Sequence, residues 1–286
     1  MTFDLMPQPP LPFPAAELYA AQALAASTGP WPGVTAHRDI TFGPEPWQRF
    51  DVFAPEAAAG PLDVIVFLHG GGWTNGYKEW CGLMAPGVVA QQAILVAPTY
   101  RLAPDHRMPV ILADVATALR EIHARIAQFG GNPARIFLAG HSAGGHLAAE
   151  IALRPTLCIA HGFDHGALKA CLPVSGILDV RGDSPTPGSL EARVYEMVLD
   201  APADDWEASP LAWIDQIALP MHFTWGKRDS ARVRASNDKA RQLLQSRPEV
   251  ASFAEDDTDH FGTHLALIDP AHRWYGVLKQ LRESCA

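Results

Sequence analysis

The sequence has no uninterrupted apolar run of about 18 residues, so no segment is expected to cross a bilayer. Its first residues show no basic stretch followed by an apolar one. Pro7, Pro9, Pro10, Pro12 and Pro14 interrupt them, so an extended arm is expected rather than a secretory leader. Cysteine is scarce and scattered: Cys81, Cys158, Cys171 and Cys285 form no C-x-x-C pair, which signals neither a zinc site nor a disulfide framework. Reduced thiols in a cytoplasmic setting are the simpler reading. Positive charge is also short. With 22 Lys+Arg against 31 Asp+Glu, the formal net charge is -9, which argues against nucleic acid or an anionic membrane as partner. No internal repeat occurs, and no low-complexity tract beyond the arm.

What is present suits a globular fold with a sizeable core: 286 residues, 48% apolar and 19% charged. At 136–150 the chain reads IFLAGHSAGGHLAAE. A short β-type run meets Gly140-His141-Ser142-Ala143-Gly144 and continues into a small-residue helical pattern, which is strand, sharp turn, helix with Ser142 at the apex. Side chains at Gly140 and Gly144 would collide across such a turn, and the strained serine is lifted clear of the sheet. Ser142 is therefore the candidate nucleophile. The Ala143 N–H at the following helix start is a candidate oxyanion donor.

Other elements follow from pattern. Residues 15–26 are helix-prone, and 39–54 read as a hairpin about a turn at 43–46. Val64-Ile65-Val66-Phe67-Leu68 is a continuous apolar run, too short for a helix and of the kind buried on both faces. It leads into His69-Gly70-Gly71-Gly72-Trp73, where successive glycines leave backbone N–H groups unshielded; Gly71 and Gly72 are the expected further oxyanion donors. His69 precedes the nucleophile and is expected to brace this loop rather than act as base. Residues 93–98 form a strand, and 109–129 one amphipathic helix with Ile111, Val115, Leu119, Ile122, Ile126 and Phe129 on its apolar face. Strand, helix, strand in this order implies a right-handed crossover and an α/β fold with a mostly parallel central sheet flanked by helices.

Further strands are expected at 170–174, 220–225 and 250–253, helices at 232–245 and 270–282, and a loop at 255–264. The intervening 175–219 is longer than a crossover needs and is expected to be partly helical and to wall one side of the pocket. Of Trp206 and Trp213, at least one is expected to be packing. The reading is a single domain over 1–286, with 1–34 as arm and helix and 175–219 as insertion.

A serine hydroxyl needs a base, and the base an orienting group. In strand-turn-helix hydrolases the order is serine, acid, histidine. Asp229 follows the C-terminal end of a strand and His260 the next one, so both point to the sheet edge that carries Ser142. Asp179 is the rival acid. Asp256, Asp257 and Asp259 read as a solvated acidic loop. His264 would cap or pack the terminal helix, His272 lies within that helix, and His222 lies in a strand. His161/His165 and His260/His264 have i, i+4 spacing but no third ligand, so no metal and no cofactor is expected.

Together the HGGGW loop, Tyr100-Arg101-Leu102-Ala103-Pro104, the GHSAGGHLAA motif and the Asp229 and His260 segments resemble the α/β-hydrolases. The likeness, from about residue 35 onward, is to the branch holding kynurenine formamidase and related carboxylesterases. The HGGGW loop is also similar to the hormone-sensitive-lipase group, which more often carries an acidic residue where His141 stands. The formamidase branch often has a bulkier residue where Gly72 stands, which bears on substrate rather than on oxyanion binding. The resemblance implies a serine hydrolase cleaving an aryl formamide or a small acyl ester through an acyl-enzyme, with Trp73 and His141 at the substrate pocket. Thioesterase and lactonase share this mechanism, and a non-catalytic small-molecule receptor on the same fold is the reading from another class. A homodimer is left open.

Overall fold

The apolar run at the centre of the chain sets the architecture. In a computed structural model that describes residues 3–182 and 184–285, Leu62–Leu68 forms strand β3, whose last five side chains are buried. Val64, Val66 and Leu68 join one hydrophobic cluster and Ile65 and Phe67 the other, so the strand has no solvent face. Burying an aliphatic or aromatic side chain of this kind stabilises by about 1.5–3 kcal/mol, and a one-residue slip would exchange the two faces. Register is thereby held at the strand that precedes the glycine loop.

Among the described residues eight strands form one sheet: β1 (Val34–Thr41), β2 (Arg49–Pro55), β3, β4 (Ala93–Pro98), β5 (Gly131–His141), β6 (Leu168–Val174), β7 (Met221–Arg228) and β8 (Ala251–Asp259). Their order is β1-β2-β4-β3-β5-β6-β7-β8. The β1–β2 and β2–β4 pairs are antiparallel and the others parallel. Helices Met108–Arg125 and Ala143–Leu153 bring their apolar residues to the first cluster, and Arg273–Ser284 brings Trp274, Tyr275 and Leu278 to the second. No helix among the described residues is long and apolar enough to cross a membrane.

Several expected boundaries shift for physical reasons. The first hairpin strand begins at Val34 rather than at 39, because pairing with β2 continues past an irregularity between His37 and Ile40, where Asp39 has φ +57°. The 109–129 helix is α-helical only to Arg125, tightens into a 3₁₀ turn over Ile126–Phe129, and stops at Gly130 with φ +85°. The segment expected as a loop at 255–264 is largely strand and short helix: β8 runs to Asp259, and Gly262–Leu265 is helical. Of its acidic residues Asp257 and Asp259 are exposed, as expected of a solvated segment, but Asp256 is not. Glu255, Asp256 and Asp257 pair with Arg241, Arg273 and Arg228, Asp256 is buried, and Asp259 accepts from the Gly262 N–H at 2.8 Å. Arginines supplied by neighbouring elements are invisible to a local pattern. His272 lies at the N-cap of the last helix, where its Nδ1 accepts from Trp274 N–H at 3.4 Å.

The 175–219 segment, of which position 183 lies outside the described residues, holds short helical pieces at Leu190–Arg193, Val194–Val198, Pro202–Asp204 and Pro210–Gln216. The first two residues of the arm and residue 286 also lie outside the described residues. The rest of the arm is pinned by hydrogen bonds: Asn75 Nδ2 donates to Pro9 O at 2.7 Å, Gly76 N to Gln8 Oε1 at 2.8 Å and Tyr77 Oη to Met6 O at 2.7 Å. It is thus fastened to the chain just after the glycine loop.

Candidate active site

Strand β5 delivers Ser142 at φ +55°, ψ -117°, a region that costs a non-glycine residue about 1–3 kcal/mol. The turn is held by Ser142 N donating to Val174 O at 2.9 Å and His146 N donating to Ser142 O at 2.9 Å. It closes only because its flanks are small. A Cβ on Gly140 would sit 2.4 Å from Gly144 O, and one on Gly144 would sit 2.1 Å from Leu68 O. Gly144→Ala should therefore drive the helix off β3 and lower the thermal midpoint markedly, whereas an unchanged melting curve would show that this close approach is not needed.

Across the sheet edge, His260 Nδ1 lies 2.8 Å from Asp229 Oδ1, and His260 Nε2 lies 2.8 Å from Ser142 Oγ. A carboxylate only accepts, so Nδ1 carries the proton and Nε2 is left to accept from the hydroxyl. Asp179, the rival acid, is engaged by Arg181 at 2.8 Å near the surface. The Asp229 carboxyl is fully buried and surrounded by donors: His260 Nδ1, Ser230 N at 2.7 Å, Ser175 Oγ at 2.6 Å and Gly226 N at 3.5 Å. Burial by itself would raise its pKa; the hydrogen bonds and the His260 charge outweigh burial and hold it below the ordinary carboxylate value.

Proton counting assigns the second layer. His141 Nε2 faces the His260 carbonyl at 2.8 Å and must be the N–H, which leaves its buried Nδ1 without a partner. Burial, then the neighbouring His260 and His264, keep His141 neutral, well below its ordinary pKa. Ser175 spends its hydrogen on Asp229 at 2.6 Å, while Thr263 Oγ1, 2.8 Å from Ser175 Oγ, donates to the His260 carbonyl at 2.7 Å, an acceptor it shares with His141. Ser175 and Thr263 were not legible as site residues. The available signal was that Ser175 directly follows the end of β6, at the same sheet edge as Ser142.

In the glycine loop, Gly71 and Gly72 have φ +121° and +62°. A Cβ on Gly71 would lie 2.1 Å from Asn75 O, whereas one on Gly72 would meet nothing within 4 Å. The position that departs from the formamidase pattern therefore has space but a left-handed backbone. Among the described residues neither the Gly71 nor the Gly72 N–H donates to another protein group. The Ala143 N–H belongs to the first helical turn, which has no intrahelical acceptor. His69 points its Nδ1 at Gly70 O, 2.8 Å away, stacks on Tyr100 with centroids 4.2 Å apart, and receives the Tyr100 hydroxyl on its carbonyl at 2.7 Å.

Ser142, His260, Gly71, Gly72, Trp73 and His141 line one cavity of about 240 Å³; Ala143, though adjacent, is buried behind it. Leu11 and Phe13 of the arm and Ile177, Leu190 and Val194 of the insertion complete a mostly apolar wall. Trp73 is buried, and its Nε1 donates to His146 Nδ1 at 3.3 Å. Trp206 and Trp213 lie away from the cavity under Arg181 and Arg154, at 4.1 and 4.4 Å. His264 is not a base candidate: its Nδ1 bonds to the Tyr19 hydroxyl at 2.8 Å, and its ring stacks on Phe67 and His141. His222 bonds to Ser252 Oγ at 2.8 Å, and His165 to Ala152 O at 3.1 Å. Among the described residues no group of three or more His, Cys, Asp or Glu is placed to hold a metal ion.

A sheet with this strand order, a serine at a strained strand-to-helix turn and a serine-histidine-aspartate relay at its edge define the class. A family model described as alpha/beta hydrolase fold matches residues 65–260, and the chain belongs to that family. Over 249 residues it is 32% identical to a protein of Oryza sativa subsp. japonica named as a probable isoprenylcysteine alpha-carbonyl methylesterase, covering 82% of this chain and 58% of that one. Over 238 residues it is 24% identical to kynurenine formamidase of Danio rerio, covering 81% of this chain and 76% of that one. The chain spans a smaller part still, 24%, of a protein of Arabidopsis thaliana named as a probable isoprenylcysteine alpha-carbonyl methylesterase. The solved Pyrobaculum calidifontis esterase aligns with TM-score 0.74 over 94% of this chain and 92% of that one, at 20% identity, a likeness of fold alone.

The site also sets an acid limit on stability. Burial pushes His69, His146 and His222 down to about 4 and His264 to about 3, from 6.5. Their stabilising contribution is complete above pH 6.5 and is lost as pH falls toward the folded values, because the unfolded chain binds the protons first. Each costs roughly 2 kcal/mol at pH 5. Glu150 opposes this: burial outweighs its partner Arg154 and raises its pKa to about 7, so it favours the folded state as pH drops. The histidines outnumber this one carboxyl, and urea unfolding should show lower stability at pH 5 than at pH 7. A midpoint that rises over that range would contradict the neutral buried histidines.

Proposed function

We propose that the chain is a serine hydrolase that cleaves a small acyl ester or an aryl formamide. The relay Ser142 Oγ, His260 Nε2, His260 Nδ1 and Asp229 Oδ1, with both contacts at 2.8 Å and opening on one cavity, carries this reading.

Ser142 Oγ attacks the substrate carbonyl as its proton passes to His260 Nε2. Asp229 keeps the imidazole in the required tautomer and stabilises its charged form. The oxyanion is held by the N–H groups of Gly71, Gly72 and Ala143, where losing one such donor typically costs about 10²- to 10³-fold in rate. His260 then protonates the leaving alcohol or amine as its bond to the acyl carbon breaks. Water, deprotonated by His260, attacks the acyl-enzyme, and the acid is released as Ser142 regains its proton. The small cavity and its apolar wall favour compact acyl groups and aromatic or aliphatic leaving groups.

Labelling with a fluorophosphonate probe tests the nucleophile: one equivalent is expected on Ser142 in folded protein, and none would point to a non-catalytic receptor. Substrate choice is read by kcat/KM for N-formylkynurenine against short-chain aryl esters on one preparation. Preference for the formamide by several orders of magnitude identifies an arylformamidase; preference for the esters identifies a carboxylesterase.

A further inference from the structure

Three charged side chains interrupt the apolar wall of the cavity: Glu191, Arg193 and Arg232. Two guanidiniums against one carboxylate leave that wall one positive charge in excess. Among the described residues neither arginine has a carboxylate within ion-pair distance. Arg193 Nη2 donates to Thr74 Oγ1 at 3.1 Å, which ties the insertion to the glycine loop. Arg232 Nε donates to Asp179 O at 3.1 Å, and its Nη2 donates to Val180 O. All of these acceptors are neutral. Asp179 is taken by Arg181. Glu191 and Asp179 act on Arg232 only through charge, and burial outweighs them, holding the guanidinium below its ordinary pKa. It remains protonated, because an arginine starts too high to lose its proton near neutral pH.

A half-buried cation beside apolar surface is costly unless it is paired. Here two share one cavity with Ser142 and His260, each holding donors that its protein partners do not use. From this juxtaposition we propose that the cavity selects substrates bearing a carboxylate away from the scissile carbonyl, bound by Arg193 and Arg232. This rests on the serine-hydrolase reading and narrows it: neutral esters fill the apolar wall but leave both guanidiniums unpaired, whereas an anionic ester or amide fills the same wall and pairs them. Glu191 limits the site to one carboxylate and leaves an acceptor for a neighbouring N–H.

Two matched pairs place the carboxylate on either side of the scissile bond: para-acetoxybenzoate with para-acetoxybenzamide, and phenyl hemisuccinate with phenyl succinamate. In at least one pair the acid is expected to be favoured in kcat/KM by about 10- to 100-fold, the size of one charge-assisted hydrogen bond, and mainly through KM. Arg193→Gln and Arg232→Gln should each reduce that ratio, Arg193→Lys should restore part of it, and added salt should weaken it. Arg193 bonds to a single side chain, so its variant keeps the test decisive if Arg232→Gln fails to fold. Ser142-dependent turnover without preference for the acid in either pair, or a preference that both glutamine variants retain, overturns this inference and leaves the hydrolase reading standing. Absence of Ser142-dependent turnover on all of the compounds overturns both.

Discussion

Ser142→Ala is expected to lower kcat by about 10⁶-fold, the scale seen when a relay of this kind loses its nucleophile. The argument is geometric. Ser142 lines the cavity and its Oγ lies 2.8 Å from His260 Nε2, and no other hydroxyl among the described residues bonds to that nitrogen. The residual rate should come from binding and the oxyanion donors alone. Stability should change little, because alanine at φ +55° carries about the same backbone strain and only one hydrogen bond is lost. Steady-state turnover beside a thermal melt checks both halves. Ester or formamide hydrolysis retained within tenfold of wild type would remove Ser142 from the mechanism.

Asp229→Asn should cost about 10⁴-fold in kcat, the typical effect of presenting the histidine with the wrong tautomer. All the partners of the carboxylate are donors: His260 Nδ1, Ser175 Oγ, Ser230 N and Gly226 N. An amide must turn its NH₂ toward some of them. If it faces His260, Nδ1 becomes an acceptor and Nε2 a donor, which cannot take the Ser142 proton. If it faces Ser175, the buried hydroxyl loses its acceptor instead, and part of the loss appears as stability. The Asp229 pKa is depressed in the folded protein, so its contribution is present above the ordinary carboxylate value and is lost as pH falls through the folded one. Asp179→Asn should cost little, since its Arg181 pair is near the surface and such pairs contribute about 0–1 kcal/mol. A larger activity loss at Asp179 than at Asp229 would move the acid's role.

The elements most readable from sequence were those whose cause is local. The apolar run at 64–68 could only be a strand buried on both faces, and the glycines around Ser142 could only be a sharp turn. Boundaries failed where the cause was distant. The segment at 255–264 reads as a loop because nothing nearby in sequence pairs its acidic residues, while Arg228, Arg241 and Arg273 arrive from other elements. His264 stacks on Phe67 and His141, residues far from it in sequence, and no local pattern shows such contacts.

Chain order and local pattern were enough to determine the α/β class and the strand-turn-helix at Ser142, and to nominate Asp229 and His260 by their places after successive strands. Those signals are short-range and repeat with the period of the element that carries them. The hydrogen-bond directions around Asp229, the service of Ser175 and Thr263, the arm over the cavity and the two unpaired arginines were decided only by tertiary structure. Each depends on groups distant in sequence meeting at one sheet edge, 54 residues apart for Ser175 and Asp229 and 119 for Arg193 and Thr74. No local periodicity encodes such a meeting, because it follows from how the strands are ordered in the sheet.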